Sequence, residues 1–526
     1  MSASREKKIR RELAEQGIPD IKEIRAAEER KQQRRANILY GSIAAIFVVV
    51  AAALLIWNSN VIQRSSTAIS VDGEKYSAAE VGYFYHNAIQ SAASSQYASY
   101  LSLDTSTSLT QQVMTDMDLM FIGAELPEGK EEMTWHEFFM DTAKDELVLL
   151  TMAKKGALDA GMTFTEEMQA EADASLEAIG AAAAANGMTT SAYLKALFGS
   201  NITEKIFTDL LKDSILASHF QRDYVNSLQY TADDLQKYYD ENKDAFDVVN
   251  YEYIYFKGVA PSTTDAEGNT VAATDEENAA AKAAAEKAAN ESLTKYQSGE
   301  LLEKIAKGYD IATYYNVEEQ VNYNDTLGKW LFDDERQAGD VEVLNSGSTY
   351  YLVVFHDRYR QDYNTINVRH ILAKVDSSEL DTEAEDYQTK LQVLIDEQEA
   401  RAESILNEWK SGAATEESFA ELASKSDDTG SVANGGLYEQ VAKGDMVQPF
   451  EDWCFDENRK AGDTDIVFVE ATNYTGFHVM YFVGEDAPYW ELQVTNTMTN
   501  QDYAQWLSSL IEGIEAEEHS GMKYVG

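Results

Sequence analysis

"NVRHILAKVD", residues 367–376, reads as a β-strand carrying one residue out of place. Val368, Ile371, Leu372 and Val375 are what a strand takes. His370 puts a polar ring where another Val or Ile would serve. "GFHVMYFVG", residues 476–484, repeats the anomaly at His478, inside an apolar and aromatic run.

Working outward, the surroundings of both strands occur twice. "WLFDDERQAGD" (330–340) matches "WCFDENRKAGD" (453–463), with Trp, Phe, Asp, Arg, Ala, Gly and Asp in register. "VNYEYIYF" (249–256) lies over "INVRHILA" (366–373), and "STYYLVVF" (348–355) over "TGFHVMYF" (475–482). This is an internal duplication. Tyr253 stands where the second copy has His370, and Tyr351 where it has His478. Both histidines are missing together from a copy whose strands persist, so folding does not require them. They read as a matched functional pair.

The chain has 526 residues, too many for one core. Its 43 basic and 91 acidic residues give a net charge of −48, which argues against binding nucleic acid or anionic lipid through the bulk surface. A single cysteine, Cys454, excludes an intrachain disulfide and cysteine-based zinc sites. Residues 38–57, "ILYGSIAAIFVVVAAALLIW", are 20 residues without a charge, enough helix for a hydrocarbon core of about 30 Å. Residues 1–36 hold 11 Lys/Arg against 7 Asp/Glu. That basic flank predicts a cytoplasmic N terminus, one uncleaved span, and an extracytoplasmic remainder.

After Trp57, Asp72-Gly73 reads as a tight turn, and Ser77 with Glu80 as a capping box. Apolar residues at three and four spacing predict helices from there to about residue 245. Asn186-Gly187 stops an alanine-rich one. Nine of the 14 methionines fall between Met114 and Met188, as core filler or as an adaptable groove for clients. "HEFFM" (136–140) lacks the second histidine of a zinc-protease helix. No phosphate loop and no nucleophile elbow is present. No cofactor or metal is implied.

"VRHILA", "FAELASKSDDTGSVANGGLYEQ", "GDMVQPFEDWCF", "AGD" and "TGFHVMYF" together resemble the parvulin-type peptidyl-prolyl cis-trans isomerases, in the family's order and spacing over about 120 residues. The wider plan looks like the PrsA/SurA-like membrane-anchored foldases. The resemblance implies an α+β chain: a basic tail (1–36), a transmembrane anchor (37–58) and a helical chaperone domain (59–245). A degenerate parvulin-like domain (246–360), a parvulin isomerase domain (361–486) and a C-terminal helical segment (487–526) packing back on the helical domain would follow. It also implies roles. His370 and His478 match the paired histidines. Asp428 matches the Cys or Asp facing the substrate peptide bond. Thr475 matches the Ser/Thr that would fix the second histidine's tautomer. Leu437, Met446 and Phe450 match the apolar pocket for the proline ring. "YEQVAKG" departs from the aromatic usual after Gly-Gly-Leu, and Ala433-Asn434 lacks the basic loop that selects phosphoserine. The expected partners are unfolded or newly exported polypeptides with X-Pro bonds and the membrane through its one helix, with no nucleic acid; the plan allows a homodimer. The expected activity is extracytoplasmic isomerisation assisting folding, declining below about pH 6 as histidine protonates. The alternative is a non-catalytic holdase with a vestigial site.

Overall fold

The computed structural model describes residues 46–51, 60–127, 129–265 and 268–525. The expected tail and most of the expected span lie outside them. Among the described residues no helix is long and apolar enough to cross a membrane. The chain forms two compact units, one of residues up to 228 with 502 onward, the other of residues 229–501.

The first unit is mainly helical. Strands β1 (Thr67–Val71) and β2 (Glu74–Ser77) form a hairpin. Its turn places Asp72 and Gly73 at φ 47° and 84°, the left-handed geometry that Asp-Gly tolerates. Ser77 and Glu80 close the expected capping box on the helix Ala78–Ser94. That helix packs with Trp135–Asp159 and Glu204–Ser227 around Ile69, Phe84, Trp135, Phe139 and Leu147. Residues 487–526, expected from sequence to be a helical segment, are helical only in part. After the helix Tyr489–Ile511, a strand Ala516–Glu518 pairs antiparallel with β1.

The helix Ala232–Glu241 belongs to the second unit, not to the helical one. Its Leu235 and Tyr239 pack with Phe246, Trp490 and Val494, which moves the unit boundary from the expected 245 to 228. Two four-stranded antiparallel sheets follow. The first joins β3 (Val248–Phe256), β6 (Ala312–Glu319), β7 (Val341–Ser346) and β8 (Thr349–Tyr359) in the order β6-β3-β8-β7. Between β3 and β6, β4 (Thr263–Thr264) and β5 (Thr270–Val271) make a small ribbon. The second sheet joins β9 (Asn364–Lys374), β10 (Leu437–Val441), β11 (Thr464–Glu470) and β12 (Thr475–Pro488) in the order β10-β9-β12-β11.

The two sheets share a register. Tyr253 pairs with Val353 as His370 pairs with Met480, and Tyr251 with Phe355 as Val368 with Phe482. The repeated Trp-x-Phe-Asp motif has the same physical use in both. Arg336 lies 4.0 Å from the Trp330 ring and Arg459 3.9 Å from the Trp453 ring. Each guanidinium also donates to the carbonyl of its own tryptophan. Gly339 then bonds Phe355 of β8 as Gly462 bonds Phe482 of β12.

In the second sheet, side chains alternate with period two. Ile371, Ala373, Phe477 and Val479 face the helix Tyr387–Ser411 through Ala402, Ile405 and Trp409. Ile366, Val368, Met480 and Phe482 face the helix Gln448–Cys454 through Phe450 and Trp453. Cys454 is buried in this second layer, and burial pushes its thiol up to about 12.

Candidate active site

His370 and His478 occupy even positions on neighbouring central strands, so both point to the Phe450 face. Their Nδ1 atoms are 3.1 Å apart and their rings are buried, 2 % and 5 % exposed. Phase and register bring them together over 108 residues of sequence.

Asp428 closes one end of the pair. It sits on the loop after Phe419, which is tied down beside β9. Leu372 N–H donates to Ser426 Oγ, Asp427 N–H to the Leu372 carbonyl, and Lys374 N–H to the Asp427 carboxylate. Asp428 Oδ2 then lies 3.0 Å from His370 Nε2. The same oxygen accepts from Ser431 at 2.5 Å and Tyr438 at 3.0 Å, while Gly430 N–H donates to Oδ1 at 3.2 Å. Burial raises the Asp428 pKa, but the Ser431 and Tyr438 hydroxyls and His370 outweigh it and hold the carboxyl below its ordinary value. Burial and the nearby carboxylate push the Tyr438 phenol up to about 12, so it stays a donor.

Tyr474 closes the other end, its hydroxyl 3.0 Å from His478 Nε2. Burial raises its pKa too, keeping its proton in place. Burial lowers both histidines, against the pull of Asp428; for His478 the proximity of His370 adds to burial and takes it to about 3. Both rings are therefore neutral at physiological pH.

These protonation states fix the direction of every bond in the chain. An ionised Asp428 only accepts, so His370 Nε2 carries the proton. Neutral His370 then has a bare Nδ1, which must accept from His478 Nδ1–H. His478 Nε2 is left bare and accepts from Tyr474. The four residues form one oriented wire, Tyr474 to His478 to His370 to Asp428, with no imidazolium in it.

Of the residues expected from sequence, His370, His478, Asp428 and Phe450 meet here. Phe450 sits edge-on to both imidazoles, with centroids 5.8 Å and 5.3 Å away. Met446 packs half-buried on the same layer. Two expectations need correction. Thr475 does not reach His478. It opens β12 three residues earlier, which in a strand is the opposite face; its carbonyl accepts from Val375 N–H instead. Tyr474, four residues before His478, is on the correct side. Leu437 also faces away. It pairs with Arg369, on the helix side of β9, while Tyr438 pairs with Val368 and lies 4.6 Å from the His370 ring. Tyr438 is thus the aromatic that seemed to be missing after Gly-Gly-Leu. Ser431 was not anticipated; nothing in its local pattern marks it.

The Gly435-Gly436 pair makes this register possible. Both have φ near 70° (71° and 72°), and His370 N–H donates to the Gly436 carbonyl at 2.9 Å. A Cβ on Gly436 would stand 2.3 Å from the His370 carbonyl oxygen.

Residues 350–483 match the PPIC-type PPIase domain family. Solved structures with some likeness include the PrsA peptidylprolyl isomerase from Bacillus anthracis (20 % identity, 29 % of this chain and 58 % of that chain, TM-score 0.18). Others are the foldase protein PrsA from Streptococcus pneumoniae (10 %, 74 % and 90 %, 0.22) and PrsA from Bacillus cereus (17 %, 61 % and 92 %, 0.19). Against the first of these, the chain spans 58 % of the other protein's length. No curated protein matches the chain.

Proposed function

We propose that this chain, which carries a PPIC-type peptidyl-prolyl isomerase domain, isomerises X-Pro bonds in newly exported polypeptides and assists their folding outside the cytoplasm. The basic tail and the apolar run 38–57 would hold it in the cell membrane, N terminus inside. The helical unit would keep extended clients from aggregating while the isomerase works.

The observation that carries the catalytic reading is the oriented wire beside an apolar wall. Amide resonance sets a rotation barrier of about 18–20 kcal/mol. Uncatalysed prolyl exchange takes tens to hundreds of seconds, slow enough to limit folding. The enzyme must favour the twisted amide over both planar forms, and a thousandfold gain needs about 4 kcal/mol. Phe450, Met446 and Tyr438 would hold the proline ring. A twisted amide has a less polar carbonyl and a more basic nitrogen. Two neutral imidazoles with fixed dipoles, dry and already aligned, suit that charge redistribution and need no rearrangement as it develops. Asp428 would serve as the anchor of the wire. Its Oδ2 already accepts from His370, Ser431 and Tyr438, and a carboxylate stabilised in this way is a weak nucleophile toward the substrate carbonyl.

Isomerisation of a proline peptide by the full chain, wild type against His370→Ala, tests the reading. The expected result is turnover that falls at least about tenfold in the variant, a loss of about 1.4 kcal/mol in transition-state binding. Turnover indifferent to the substitution would leave a holdase with a vestigial site.

A further inference from the structure

The helical unit contains a cavity of about 900 Å³ that plays no part in the isomerase site. One face of the helix Ala78–Ser94 walls it, with Tyr85, His86, Ile89 and Gln90 succeeding one another at helical spacing. His136, in the first turn of the helix Trp135–Asp159, and Lys523 complete the polar side. Ile89, Leu109 and Leu197 give the cavity an apolar side, and Thr105, Ser108 and Thr110 add neutral hydroxyls.

The charge of this lining is the informative feature. The chain has 91 acidic residues in 526, yet none of the fifteen that line the cavity is Asp or Glu. A protein of net charge −48 repels anions over most of its surface. Here the titratable groups are Tyr85, His86, His136 and Lys523, each able to donate. Tyr85, whose phenol burial pushes up to about 12, keeps its proton and lies 2.9 Å from His136 Nδ1. With the phenol as donor of that bond, His136 presents an Nε2–H. His86 has no hydrogen-bond partner among the described residues. Its ring lies against the bare Cα of Gly199, where a Cβ would come within 2.6 Å of Nε2. Lys523 makes no ion pair among the described residues; its ammonium lies 4.9 Å from the Tyr524 ring. Two imidazoles and an ammonium without an ion-pair partner among the described residues, around a partly apolar space of ligand size, suit an anionic guest with an apolar portion.

We propose that this cavity binds a carboxylate carried on an apolar stem. The carboxylate would accept from His86, His136 and Lys523, and the stem would lie on Ile89, Leu109 and Leu197. Two sources supply that chemistry: the free C terminus of a polypeptide ending in apolar residues, and a fatty acid. Calorimetric titration of the full chain at neutral pH separates them, using acetyl-Ala-Leu-Leu as the free acid, the same peptide as its C-terminal amide, and decanoate. The free acid is expected to bind about tenfold or more tighter than the amide. Lys523→Gln and His86→Gln should each weaken the acid about fivefold and leave the amide unchanged. An unchanged far-UV circular dichroism spectrum and urea-unfolding midpoint show that each variant is folded, and isomerisation at the wild-type rate shows that the separate isomerase unit is undisturbed. Binding of the peptide acid but not decanoate assigns the polypeptide source; the reverse assigns the fatty acid. Equal affinity for acid and amide, no binding by any probe, or acid binding that ignores both substitutions overturns the proposal.

Discussion

The buried histidine pair should make the isomerase domain acid-sensitive in its stability. His478 is lowered to about 3 by burial and by His370, against an ordinary value of 6.5. In the unfolded chain it titrates near 6.5, so between that pH and about 3 the unfolded state holds the extra proton. Stability is then fully present above about 6.5 and is lost as pH falls, at about 1.4 kcal/mol per unit. From pH 7 to pH 5 the His478 contribution alone falls by about 2 kcal/mol. His370 is lowered in the same direction and adds to the loss. Hydrogen exchange of the β9 and β12 amides, measured at pH 7, 6 and 5 and corrected for intrinsic rates, reads this opening energy. His478→Gln, which cannot titrate, isolates the term: its difference from wild type should shrink by about 2 kcal/mol over that range. The first sheet is an internal control, because Tyr253 occupies the His370 position there and burial pushes its phenol up to about 12, far from the range tested. A difference between wild type and His478→Gln that stays constant from pH 7 to pH 5 refutes the reasoning.

The same shifts revise the expected pH profile of activity: kcat/KM per folded molecule should hold its plateau below pH 6, checked by a proline-peptide assay from pH 5 to 8. Tyr474→Phe strands a buried acceptor on His478 and should cost about 1–3 kcal/mol in urea unfolding while lowering turnover; Thr475→Val should do neither. Tyr438→Phe removes a hydroxyl from a charged acceptor, about 1.5–3 kcal/mol, and should lower kcat/KM, whereas Leu437→Ala, on the far face, should leave kcat/KM unchanged. Gly436→Ala forces a Cβ to 2.3 Å from the His370 carbonyl, so β9 and β10 must part; loss of turnover and of amide protection in β10 is the expected result.

How much of this was legible depended on which periodicity reached each residue. His370 and His478 could be paired from sequence because each lies inside a regular strand, and the duplication aligned both strands. The Trp-x-Phe-Asp…Arg motif was legible as a repeat, but its use, an arginine laid on a tryptophan beside the helices Thr326–Leu331 and Gln448–Cys454, appears only in three dimensions. Leu437 was misjudged because nothing local sets the phase of β10. That phase comes from two left-handed glycines and a tertiary bond to His370, and one residue of slip reverses every side chain. Tyr474 was missed because it precedes β12, where counting by twos has no visible start. The C-terminal strand Ala516–Glu518 has no apolar alternation, being an acidic edge whose partner, β1, lies more than 400 residues away in the chain.

The first copy shows what the histidines are for by how it fills the space they vacate. Tyr253 stacks on Tyr315 with centroids 4.8 Å apart, and Tyr351 lies 5.8 Å from Tyr253. Rings stacked this way add packing energy and require no titrating group to stay neutral. The register is the same, as is the arginine laid on tryptophan, so the sheet loses nothing by the exchange. Imidazoles at these positions, by contrast, must be kept uncharged against their ordinary pKa and given a partner at each nitrogen. The second copy supplies those partners and their support from three separate places in the chain: Asp428, held by Ser431, on a loop, Tyr438 on an edge strand donating to Asp428, and Tyr474 at a turn. A fold under no demand but stability would take the phenols. Retaining the costlier pair with every nitrogen satisfied and every donor oriented is what a site for a neutral, polarity-sensitive reaction requires, and rotation about a prolyl amide is such a reaction.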